Sequence, residues 1–347
     1  MTRGGKDPWA TFTKSVLLSA DGIATPVPEL QPAVQALFAL TTLCEQVTVS
    51  RHETRQLCYQ CHHLLEGVRR YKPTPSHTLK IAFDDVTTCI TRVRDRAATW
   101  AGLPWPRALL YLQKIKEDID ESKISVQDCF LQFQPAAADT DRWQSMFAEA
   151  ARDDHEEMIV YLSEIQHGQE IVREMLRVIV QQGRIKDVKQ VMAMMQKSLG
   201  ELNTERGQHL HSGLSKNLYE LQVNAKVLLP NLLLDSGEIT DVGARPTDAT
   251  GALDIFLGQY LRSKKVRAIS VFGSKEHMLR RFRREAEVWD KIYDVDKGKY
   301  ILPVYGLSLT QDTQLYVISP WQENGTALEY VKNNDARIDY RRLVCGR

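Results

Sequence analysis

Residues 264–272 read KKVRAISVF. β-Branched and aromatic residues fill this stretch between the polar run Arg262-Ser263-Lys264-Lys265 and the turn pair Gly273-Ser274, which is the composition of a β-strand bounded by turns. The strand lies in a region that begins near Leu229-Pro230, where short β-rich runs broken by Gly and Pro replace helical spacing. A helical front followed by a β-rich rear makes the expected fold class α+β.

Other segments fall into place around this strand. Thr250-Gly251-Ala252-Leu253-Asp254-Ile255-Phe256-Leu257-Gly258 precedes it, and the charged helical run Phe282-Arg283-Arg284-Glu285-Ala286-Glu287-Val288-Trp289 follows it. Two further runs complete the set, Ile301-Leu302-Pro303-Val304-Tyr305-Gly306 and Leu315-Tyr316-Val317-Ile318-Ser319-Pro320-Trp321-Gln322-Glu323-Asn324-Gly325. In this order, residues 238–345 resemble the N-terminal lobe of a protein kinase, in particular the tyrosine-kinase-like domains common in fungi. The resemblance puts 250–258 at the glycine-rich loop and 265–272 at the strand of the phosphate-binding lysine. It puts Glu285 at the glutamate that pairs with that lysine, Ser319 at the gatekeeper and Trp321 in the hinge. Ile255 and Ala268 match the two apolar positions that sandwich an adenine.

The departures from that pattern bear on function. Ser270 stands where the lysine belongs and supplies no cation, which leaves Glu285 without its partner. The positions of the three loop glycines hold Asp248, Thr250 and Leu253, so close approach of backbone N–H groups to phosphate is lost. No H-R-D catalytic loop or D-F-G metal site occurs before Arg347. The expectation is a vestigial nucleotide pocket of Ile255, Ala268, Ser270, Glu285, Ser319 and Trp321. No catalytic or metal-ligating residue is expected, and ATP binding should be weak or absent.

Four segments of the front carry apolar residues at spacings of three and four, the pattern of helices sharing one elongated core. They run Leu30 to Val47, Leu57 to Tyr71, Leu79 to Trp100 and Leu112 to Phe133. Lys72-Pro73-Thr74-Pro75 and Gly102-Leu103-Pro104 separate them, and Ser50 with Glu53 reads as a capping box at the start of the second. The simplest packing is an up-and-down four-helix bundle over residues 1–135. Brace helices should occupy 136–228, the first from Asp141 to about Gln182 and ended by Gly183, the next carrying Met192 and Met195 as core packing. The kinase-like lobe takes 229–347. The opening LQPAVQALFALTTLCEQV and the four-heptad pattern resemble the N-terminal bundle and brace of mixed lineage kinase domain-like proteins and the related adaptor domains of fungal kinases. That resemblance implies an adaptor or a membrane-acting bundle.

Composition narrows the partners. Lys and Arg number 45 against 44 Asp and Glu, so no overall field draws the chain to nucleic acid, and none is expected as a partner. The short basic clusters Arg69-Arg70-Tyr71-Lys72 and Arg280 to Arg284 leave an anionic membrane surface as a secondary partner, after other proteins and self-association through the bundle. MTRGGKDPWATFTKS holds no apolar core of a signal peptide, so the expected location is cytoplasmic, with peripheral membrane contact, and the six cysteines are expected to be reduced. Cys58-Tyr59-Gln60-Cys61-His62 matches a haem-attachment spacing, but Cys61 falls on the apolar face of a helix and reads as core. The expected function is a non-catalytic signalling protein in which a pseudokinase lobe regulates the bundle. The alternative is a truncated form of an active fungal protein kinase.

Overall fold

The computed structural model describes residues 9–16, 28–70, 77–133, 138–202, 207–235, 237–249, 254–271, 275–309, 315–323, 325 and 330–332. The Lys72 to Pro75 breaker, Pro135 to Ala137, Thr250 to Leu253, the Gly273-Ser274 turn and Cys345 to Arg347 lie outside the described residues. The molecule is α+β, with a helical region followed by a sheet. It divides into two compact units, Met1–Met158 and Ile159–Arg347.

In the first unit, α1 (9–16) precedes α2 (Gln31–Gln46), α3 (Arg51–Arg70), α4 (His77–Trp100), the short α5 (Trp105–Leu110) and α6 (Leu112–Phe133). Leu37, Leu40, Leu57, Leu64, Val86, Ile90, Ile115 and Ile119 are almost wholly enclosed, so the heptad positions do face one shared core. α2 packs along both α3 and α4, and α6 also packs along α3 and α4. The four therefore follow the order α2, α3, α6, α4 around the core, with the consecutive helices α3 and α4 across its diagonal. Trp9 of α1 inserts beside Tyr59, and Trp143 and Phe147 of α7 (Ala138–Ser163) join the same core.

In the second unit, α8 (Ile165–Gln182) ends at Gly183, whose φ of +64° suits a residue without Cβ. Where one long helix is expected up to Gln182, the chain breaks near Glu164 into α7 and α8. α9 (Ile185–Glu201) buries Met192 and Met195, and α10 (Gln208–Ala225) packs on both α8 and α9. The sheet contains β1 (Leu233–Leu234), β2 (Ile239–Thr240), β3 (Asp248–Ala249), β4 (Asp254–Tyr260), β5 (Lys264–Val271), β6 (Gly306–Leu309) and β7 (Leu315–Pro320). Its order is β1-β6-β7-β5-β4-β2, with β3 also on β4; all pairs are antiparallel except β1 with β6. α11 (Lys275–Asp296) lies between β5 and β6 in the chain. Among the described residues no helix is long and apolar enough to cross a membrane.

Candidate functional site

β5 is the central strand, paired with β4 on one side and β7 on the other. Directly opposed residues of an antiparallel pair share a face, so the register assigns each side chain to one side of the sheet. Phe256 opposes Ala268, which opposes Ile318, and Ser270 opposes Tyr316. Ile255 opposes Ile269, while Leu257 opposes Arg267, which opposes Ser319. Ala268 and Ser270 therefore share one face with Phe256, Tyr316 and Ile318. Ile255 and Ser319 lie on the other with Arg267 and Ile269. The expected adenine sandwich of Ile255 and Ala268 is not formed; Phe256 is the residue across from Ala268. The sequence hides this parity because Asp254 to Tyr260 carries apolar residues at both odd and even positions, so alternation alone does not choose a face.

The face bearing Ala268 and Ser270 is filled. Ala268 and Ile318 are 0% exposed and Ser270 is 1% exposed. Phe256 and Tyr316 meet edge to face at 5.4 Å, and Tyr260 stacks on Tyr305 at 4.6 Å. Tyr260 also donates from its hydroxyl to Gln222 Oε1 at 2.8 Å, so α10 anchors that end of the strand. On the opposite face Ser319 is buried, and its Oγ has no hydrogen-bond partner among the described residues. Trp321 is half-buried and donates its backbone N–H to the Lys265 carbonyl.

Glu285 does not turn toward Ser270. It accepts from Arg281 Nε at 2.7 Å, one turn back along α11, with its side chain 46% exposed. Arg280, Arg281, Arg283 and Arg284 are exposed along the same helix. Two open grooves border α11. One, of about 480 Å³, runs between Phe282, Ala286 and the Leu229 to Leu233 segment, with the Lys189–Asp290 ion pair among its lining residues. The other, of about 730 Å³, is lined by Val288, Val295, Tyr300 and Ile301, of which Val295 is 89% exposed.

In the first unit, His52, Asp154 and Glu157 bring their ligand atoms within 4.8 Å of one another. Their bonds explain the cluster as a helix cap. The Asp154 carboxylate accepts the backbone N–H groups of His52 and Glu53, both at 2.9 Å, and thereby satisfies the open donors at the start of α3. Glu157 accepts from Arg51 at 2.6 Å. Burial nevertheless raises the Asp154 and Glu53 carboxyls above their usual range. The bond that a capping box would place between Ser50 and the Glu53 N–H is thus replaced by one to Asp154, 101 positions away. Ser50 itself adopts φ +57°. Cys58 and Cys61 are fully buried, and burial pushes both thiols well up. No protein-family model, curated protein or solved structure matches this chain.

Proposed function

We propose that the chain is a non-catalytic signalling or adaptor protein in which a degenerate kinase-like lobe regulates an oligomerising or membrane-acting helical bundle. One observation carries the reading: the side chain at the lysine position, Ser270, is sealed at 1% exposure on a face already occupied by Phe256 and Tyr316. Phosphoryl transfer requires a cation that reaches the nucleotide phosphates and a base and metal site beside them. Ser270 offers no charge, and Glu285 is engaged by Arg281. The order of elements, with β4 and β5 before α11 and β6 and β7 after it, supports the kinase-like assignment.

Thermal denaturation of the full chain tests the nucleotide half of the proposal. Millimolar ATP with magnesium should produce no shift, and Ser270→Lys should produce no phosphoryl transfer, because one restored cation replaces neither base nor metal site. A magnesium-dependent ATP shift abolished by Glu285→Gln would overturn it. Deleting residues 230–347 tests regulation, with increased self-association or leakage of anionic vesicles as the expected result. An unchanged monomer that leaves vesicles intact would count against restraint by the lobe.

A further inference from the structure

Five of the six cysteines are described, and all five are buried. Cys44, Cys58 and Cys61 are fully enclosed at 0% exposure, whereas Cys89 and Cys129 keep 3% and 9%. Those last two face each other across the seam between α4 and α6. Cys89 Sγ lies 3.5 Å from Ser125 Oγ of α6. Cys129 lies one turn beyond Ser125 on the same face of α6, which brings its thiol next to Cys89. We propose that Cys89 and Cys129 form a dithiol site that hydroperoxides oxidise to a disulfide, tying α4 to α6.

The environments of the two thiols divide the roles. The hydrogen bond from Cys129 is the main influence lowering the Cys89 thiol to about 7, with Ser125 and Arg92 acting in the same direction and burial and Asp128 opposing them. Cys129 is pushed up by the same bond, by burial and by Asp85 and Asp128. Cys89 thiolate attacks one peroxide oxygen, the O–O bond breaks, and the departing oxygen takes a proton as water or an alcohol. Cys89 is now a sulfenic acid. The Cys129 sulfur attacks the Cys89 sulfur, the S–O bond breaks, and the hydroxide leaves as water with the Cys129 proton. Two thiols give up two electrons and two protons, and the hydroperoxide accepts them. The product closes a covalent loop from residue 89 to residue 129 and restricts movement of α4 against α6, which opening of the bundle would require.

The test uses the full chain carrying Cys345→Ser, treated with hydrogen peroxide and then alkylated in denaturant. Three thiols rather than five should take up the alkylating label, and peptide mapping should recover one cross-link, between Cys89 and Cys129, that dithiothreitol reverses. Cys89→Ser should abolish the cross-link. Cys129→Ser should stop at a sulfenic acid on Cys89 that dimedone traps. Should either variant fail to fold by circular dichroism, the cross-link map of the Cys345→Ser protein still decides. Five free thiols after peroxide treatment, or a cross-link through Cys44, Cys58 or Cys61, overturns the proposal.

Discussion

Glu238 shows how one residue links sequence chemistry to a measurable property of the second unit. It is 2% exposed, and its carboxylate accepts from Gln196 Nε2 at 2.7 Å and from the Asp235 backbone N–H at 2.9 Å. Burial outweighs those bonds and pushes its carboxyl up to about 7 from an ordinary value of 4.5. Between these values the folded chain holds a proton that the unfolded chain has released, so stability falls as pH rises through the window. The expected loss is about 3 kcal/mol across it. Urea denaturation at closely spaced pH values should show that decline in the wild type and a flatter profile in Glu238→Gln; equal slopes would exclude Glu238 as the cause. Nothing in the sequence marks Glu238 for this role, because its burial depends on Gln196, 42 positions earlier. The lack of charge at position 270 was legible, since serine carries none. The face occupied by Ile255 was not, since it depends on register.

At the scale of elements, helices were legible where their apolar period was long. α2, α3, α4, α6 and α9 begin and end close to the positions that their spacing and breakers imply. α1, α5 and α10 escaped, two of them being too short for a period to establish itself and α10 having a weakly amphipathic sequence in which His211, Ser215 and Asn217 are buried. α10 is held by close approach instead. A Cβ built at Gly213 would stand 1.8 Å from the Ser163 carbonyl oxygen, and Asn217 Nδ2 donates to the Leu162 carbonyl at 2.7 Å. Gly213→Ala must therefore move α10, with an expected cost of about 2 kcal/mol despite alanine's better helix propensity. Gly67 in α3 provides the contrast, because a Cβ there would meet Phe130 at an ordinary 3.6 Å. Gly67→Ala should be neutral or stabilising by up to about 1 kcal/mol. Equal thermal midpoints for the two variants would refute the close-approach argument.

At the scale of the molecule, the α+β division was legible from the change of period near residue 229, but the extent of the first unit was not. Pro135-Ala136-Ala137-Ala138 reads as a linker, which places the bundle's end at residue 135, whereas the compact unit runs to Met158. The reason is physical: what completes the bundle is supplied by α7. Trp143 and Phe147 are 7% and 3% exposed, Trp143 meets Phe130 at 4.7 Å, and Lys123 sits 4.5 Å over the Phe147 ring. Asp154 adds the cap on α3. Burying the two aromatic side chains contributes about 1.5–3 kcal/mol each. Losing the cap leaves two backbone donors without their carboxylate, a cost of about 1–3 kcal/mol. Together these approach the whole stability of a small domain, about 5–15 kcal/mol. A fragment of residues 1–158 should therefore melt cooperatively by circular dichroism, while residues 1–135 should melt at a far lower temperature or without a cooperative transition. Placing Asp154→Ala in the longer fragment should lower its midpoint part of the way. Identical melting of the two fragments would mean that the front half of α7 is not part of the folding unit.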